Sequence, residues 1–216
     1  HGLQYLGIAE HSKSSFQANG LDETRLRAQI AEIRALNARY RDEGVKFRLF
    51  AGNEVDILKD GSLDFDDDLL GELDYVVASV HNAMSLSEAA MTERLIKAVS
   101  HPRVTMLGHL TGRLLLERDP YAVDIPAVIE ACAEHGTVIE LNCSPWRLDM
   151  DWRWWKHAVA KGVKCAINPD AHRTSQLEYL AFGVRLARKG WLRREDVINT
   201  LDLAAIEAWL GLKPIA

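Results

Sequence analysis

Four histidines and two acids of this 216-residue chain fall where apolar runs end. LGIAEH ends on His11, RLFAGNE on Glu54, YVVASVH on His81 and VTMLGH on His109, and CAINPDAH carries Asp170 and His172. Imidazole and carboxylate together suit zinc, iron or manganese better than calcium or magnesium alone. Glu54 is the only acid among the early run ends, and a carboxylate can bridge two cations where an imidazole cannot readily do so. Asp170 and His172 stand at i and i+2, so on extended backbone their side chains share a face. Two or three cations held there would turn a bridging water into an oriented nucleophile, hold phosphate oxygens and stabilise the leaving group. The chemistry expected is metal-assisted phosphoester hydrolysis without a protein nucleophile.

A lone histidine is ordinarily a surface residue or a satisfied polar group. His101 before Pro102, His135 at a helix end and His157 within a helix read that way, whereas His11, His81, His109 and His172 share one pattern. Cys143 follows the fifth apolar run and reads as a small buried residue, with zinc ligation the alternative. Lys13, Arg113, Arg147 and Arg173 fall on expected loops near the run ends and form the candidate phosphate-binding patch. Asn142 is a candidate substrate contact. Trp152, Trp154 and Trp155 read as helix packing, and the acids from Asp64 to Asp68 as a solvated helix start.

The elements that must position these donors alternate strand with helix, the pattern of a parallel α/β fold. Strands are expected at about 4–9, 46–52, 75–80, 103–108, 137–142 and 163–168. Helices are expected at about 22–43, 87–99, 126–134, 175–189 and 194–210, with another from Asp149 or Asp151 through Lys161. In such a sheet the C-terminal strand ends gather on one rim, where sites are built.

The hydrophobic fraction of 48% supplies a core for one domain spanning 1–216, and a net charge of −5 gives no global basic field. Nucleic acid, if bound, must meet a local patch. Three cysteines without a CxxC pair argue against a disulfide framework and fit a reducing cytoplasm. No apolar run of about 18 residues is present, so no membrane span is expected. GxGxxG, GxxxxGK[ST] and GxSxG are absent, which leaves dinucleotide, P-loop and nucleophile-elbow readings without support.

The words IAEHSKS, GNEVDI, ASVHN, GHLTGRLLL, ELNCSPWRLDMDWRWW and INPDAHRT resemble the PHP (polymerase and histidinol phosphatase) domain, essentially from end to end. GHLTGRLLL, RLDMDWRWW and ARKGWLRREDVINTL resemble in particular the C-terminal PHP domain of family X DNA polymerases. The resemblance implies a distorted, TIM-like (β/α)7 barrel with a trinuclear site of zinc or manganese. It implies that Glu54 bridges two metals, with Asp170 on the first, His81 and His109 on the second, and His11 and His172 on the third. Glu54, His81 and Asp170 would then be catalytic. The implied activity is 3′–5′ exonuclease or related DNA end processing in DNA repair, beside an upstream polymerase module. The first HxH motif of the family is absent and would lie before His1, so a truncated start and a missing first strand are expected. Glu10 stands where many relatives have Asp, with little consequence expected. A histidinol-phosphatase-like enzyme for a phosphorylated small molecule and a non-catalytic structural PHP module are the alternatives.

Overall fold

The computed structural model describes residues 2–212, so His1 lies outside the described residues. Six strands form one parallel sheet: β1 (Tyr5–His11), β2 (Arg48–Asp56), β3 (Tyr75–Ser79), β4 (Met106–Leu107), β5 (Val138–Asn142) and β6 (Cys165–Asn168). Each strand pairs with the next in sequence, in the order β1-β2-β3-β4-β5-β6. That order never reverses, which is the winding of a barrel rather than of a doubly wound sheet. The strands curl into a half-barrel.

Helices α1 (Glu23–Asp42), α2 (Asp67–Leu70), α3 (Glu88–Val99), α4 (Ile125–His135), α5 (Trp155–Ala160), α6 (Leu180–Lys189) and α7 (Leu203–Trp209) follow in turn. The starts of α1, α3, α4 and α7 are set by side chains that accept from orphan amides: Asp22 from Arg25, Ser87 from Ala90, Asp124 from Ala127 and Asp202 from Ala205. Gly136 closes α4 in the left-handed conformation, at φ 71°.

Alternation along the strands sorts side chains between two cores. Ala51, Ala78, Leu107, Ile139 and Ile167 pack outward into the large cluster shared with the helices. Phe50, Val77, Met106, Val138 and Ala166 point inward, where Ile198 and Ile206 join them. Two residues further along the inner face the character changes. Phe50 leads to Gly52, Glu54 and Asp56; Val138 leads to Glu140 and Asn142; Ala166 leads to Asn168. Gly52 is needed because a Cβ there would stand 2.3 Å from the Tyr75 ring, which fills the space beneath Glu54.

Several boundaries differ from the sequence reading. β2 runs on to Asp56, so Glu54 lies within a strand instead of past its end. β4 is only two residues long. The expected helix over 194–210 is two 3-10 turns, Arg194–Asp196 and Ile198–Thr200, before α7, because Asp202 caps a fresh start. Asp151, not Asp149, opens the turn leading to α5. Trp155 is fully buried, and Trp152 and Trp154 pack against the core, as expected.

Candidate metal centre

The first two donors sit side by side. His11 of β1 is in register with Glu54 of β2, and its Nδ1 lies 3.1 Å from Glu54 Oε2. The other carboxylate oxygen, Oε1, faces His109 Nε2 at 3.0 Å and His81 Nε2 at 3.4 Å. The rings form an arc around Glu54, with centroids 5.1 Å apart for His109 and His81, 4.8 Å for His81 and His11, and 6.1 Å for His11 and His172. His11, Glu54 and His81 each present a donor atom within 4.8 Å of the others. Buried ring atoms His11 Nδ1 and His81 Nε2 lack hydrogen-bond partners, and both face Glu54. Unsatisfied nitrogens converging on a carboxylate fit a divalent cation, and this donor set suits zinc or manganese.

The electrostatics agree with that fit. Burial opposes ionisation of Glu54, but the His109 and His81 rings beside it hold its carboxyl well below the usual range. Burial likewise disfavours charged His81, yet Asp56 and Glu54 raise it to about 9. Burial lowers His11, with Glu54 opposing. Positive charge among the carboxylates is what the cluster demands, and a bound cation supplies it.

Asp170 joins from the segment just past β6. Its Oδ2 accepts from Asn142 Nδ2 at 3.0 Å and from Arg147 Nε at 3.0 Å. His172 is exposed, with Nδ1 3.0 Å from the Asp170 carbonyl and 3.7 Å from its Oδ1. Asp170 and His109 adopt φ 52° and 20°, left-handed values rare outside glycine. Such strain costs of order 1–3 kcal/mol per residue and gathers at functional sites.

Of the four expected phosphate-binding cations, the structure brings Arg147 to the donors. Arg113 is placed otherwise: its Nε donates to the Arg147 carbonyl at 2.9 Å, its Nη2 to the Leu148 carbonyl, and its Nη1 faces Asp151 at 3.3 Å. These contacts use Nε, Nη1 and Nη2 to fix the loop after β5. Lys13 pairs with Glu23 at 2.5 Å. Arg173 is exposed. Cys143 is fully buried, and burial pushes its thiol up to about 12, so it behaves as a core residue. Asn142 holds Asp170 and Glu140 from within the sheet.

Several polar residues escaped the sequence reading. Asp56, fully buried, binds His81 Nδ1 and so aims Nε2 at Glu54. Its own carboxylate also accepts from Ser15 at 3.0 Å. Glu140 accepts from the His109 backbone at 2.7 Å, from Asn168 at 3.0 Å and from Asn142 at 3.2 Å. Burial raises its carboxyl to about 7, with His109 opposing. Asp149 accepts from the Thr111 amide and hydroxyl at 3.0 and 2.8 Å, tying the loop after β4 to the loop after β5. The signal for Asp56 and Glu140 was a stride of two from Glu54 and Asn142 along the same face.

No family model matches the chain. It is 41% identical over 209 residues, 97% of its length, to the DNA polymerase/3′-5′ exonuclease PolX of Bacillus subtilis, and spans 36% of that protein. It is 35% identical to a probable phosphatase of Clostridium acetobutylicum, over 72% of this chain and 65% of that protein. In fold it matches the crystal structure of histidinol phosphate phosphatase from Lactococcus lactis, with a TM-score of 0.56 and 17% identity over 89% of this chain and 84% of the other. The chain belongs to the PHP family. That solved phosphatase is complexed with zinc, L-histidinol and phosphate. The PHP relatives are named as an exonuclease and as probable phosphatases, both of which hydrolyse phosphoester bonds. No helix of the described residues of this PHP domain is long and apolar enough to cross a membrane.

Proposed function

We propose that this chain is a metal-dependent phosphoesterase that processes DNA 3′ ends as a 3′–5′ exonuclease in DNA repair. The observation that carries the reading is one carboxylate, Glu54, faced by imidazoles from three different elements, His11, His81 and His109. Glu54, His11, His81, His109, Asp170 and His172 would hold two to three divalent cations, zinc or manganese. When bound, the cations would supply a water of lowered pKa and would offset charge on the phosphate and on the leaving 3′-oxygen. Asp56 fixes the tautomer and direction of His81. Glu140 and Asn142 set the positions of His109 and Asp170. Arg147, anchored through Nε on Asp170, stands ready to bind a phosphate oxygen with the remainder of its fork. The 41% identity to a polymerase with exonuclease activity supports DNA as substrate and a polymerase module as partner in the parent chain. Three free, buried cysteines support a reducing, cytoplasmic setting.

The test is release of nucleotides from 3′-labelled DNA by the manganese- or zinc-loaded chain, with Glu54→Gln as comparison. Metal-dependent release that is lost in the variant is expected. Release that is absent, or indifferent to Glu54, refutes the reading. Similarity to the probable phosphatases favours a second reading, a histidinol-phosphatase-like enzyme. Turnover of histidinol phosphate in preference to DNA would select it. A metal content near zero would instead select a structural PHP module.

A further inference from the structure

A shallow trough of about 300 Å³ is lined by Pro145, Leu148, Phe182, Arg185, Leu186 and Lys189. One wall is the loop after β5. In that loop Leu148 follows Arg147, the residue bound to Asp170, and Pro145 leads into Trp146. The opposite wall is α6. Gly183 brings that helix directly onto the strand ends, because a Cβ there would lie 2.3 Å from Ile167 Cγ2 and 2.8 Å from Cys143 Cβ. Both walls are thus fixed relative to the donors: the loop by the Arg113 fork, the helix by close packing.

The lining alternates apolar and cationic groups in a way that core packing does not explain. Trp146 is 60% exposed and Phe182 45%, although both belong to well-anchored segments. The Trp146 carbonyl accepts from the Leu115 amide at 2.7 Å, so the backbone beneath the ring is held. Arg185 and Lys189 lie one helical turn apart, and neither pairs with an acid among the described residues. Lys189 Nζ lies 4.7 Å from the Trp152 ring centroid. The lining contains no acid, in a chain whose net charge is −5. Cations set among exposed aromatic rings are what a flexible polyanion with flat bases requires. An apolar peptide would have no use for two unpaired cations.

We infer that this trough and Trp146 form a track for single-stranded DNA, with a base stacked on Trp146 and phosphates on Arg185 and Lys189. The track leads the strand past Arg147 to the metal centre. The inference rests on the reading of the chain as a DNA-end phosphoesterase and adds the surface that would select a strand over a small phosphoester.

The experiment is fluorescence anisotropy of a labelled oligodeoxythymidylate of about twelve nucleotides, within the span of common single-strand sites. Chelator keeps the DNA uncut, and salt is varied. Arg185→Ala with Lys189→Ala should weaken binding about tenfold at low salt and reduce the slope of log K against log salt by about 1.4, from two lost phosphate contacts. Trp146→Ala should weaken binding about tenfold, with Trp146→Phe restoring most of it. Arg39→Ala with Arg41→Ala removes equal charge from α1 and should leave both affinity and slope unchanged. Melting temperatures establish that each variant is folded. Wild-type binding that neither trough variant alters, or an unaltered salt slope, overturns the track while release from 3′ ends still upholds the enzymatic reading. Conversely, binding that follows these variants without metal-dependent release keeps the track and removes the exonuclease.

Discussion

The two faces of one sheet do different work. On the outer face, Ala51, Ala78, Leu107, Ile139 and Ile167 pack into the core shared with the helices, and the face is mainly apolar, with buried Asn53 between Ala51 and Val55. On the inner face the first half of each strand, Arg48 apart, is apolar, around Phe50, Val77, Met106 and Val138, and the second half carries Glu54, Asp56, Glu140, Asn142 and Asn168. The outer face supplies burial free energy, at about 25 cal/mol per Å² of apolar surface. The inner face uses that rigidity to hold carboxylates where water would otherwise solvate them, which is costly unless each is paired. Stability and chemistry are therefore separable by residue parity along a strand, and substitutions should reveal the separation.

The largest expected effect is on the inner face. Glu54→Gln should abolish metal-dependent hydrolysis and lower metal content by elemental analysis, while the chain still folds cooperatively in thermal denaturation. Ile139→Ala, one residue before Glu140 but on the outer face, should cost about 2–5 kcal/mol of stability through the cavity it leaves. Its denaturant midpoint should fall while its metal stoichiometry stays unchanged. A loss of metal in that variant would break the proposed separation of faces. Manganese or zinc at about a hundred times its dissociation constant should add about 2.7 kcal/mol of stability, because the donors converge only in the folded chain. A melting temperature indifferent to the metal would count against an assembled site. The smallest effect is expected of Asp56→Asn, which leaves the His81 ring in place with a weaker orienting partner. Metal affinity by competition titration should fall about 10- to 100-fold. A change below twofold would show that Asp56 is merely a buried, satisfied acid.

Much of this arrangement was legible beforehand, for a physical reason. Parallel strands buried on both sides read as apolar runs, and a donor at the end of such a run must lie on the rim. That logic located His11, His81, His109 and Asp170, and the six strands in order. It missed residues whose role depends on parity within a strand. Asp56 and Glu140 are flanked by Val55 and Ile57, and by Ile139 and Leu141, so they look like interruptions of a run until the inner face is distinguished from the outer. Arg113 shows the converse limit. Sequence placed it on the rim correctly, but only geometry shows its guanidinium satisfying the carbonyls of Arg147 and Leu148. The segment after Arg193 misled because its apolar spacing suits one long helix, while Asp202 accepting from the Ala205 amide starts a separate one.

Glu54 lies inside β2, with Val55 and Asp56 continuing the ladder to β3 beyond it. Its backbone can leave the site only when β2 parts from both neighbours, an opening of the kind that approaches global unfolding in free energy. His172, on an exposed turn, is under no such restraint. The donor set thus spans two regimes of hydrogen exchange, slow at its centre and fast at its edge. An ion held mainly by the edge should trade with solvent many times over while the ion on Glu54 stays in place, so isotope exchange of the bound metal should be biphasic.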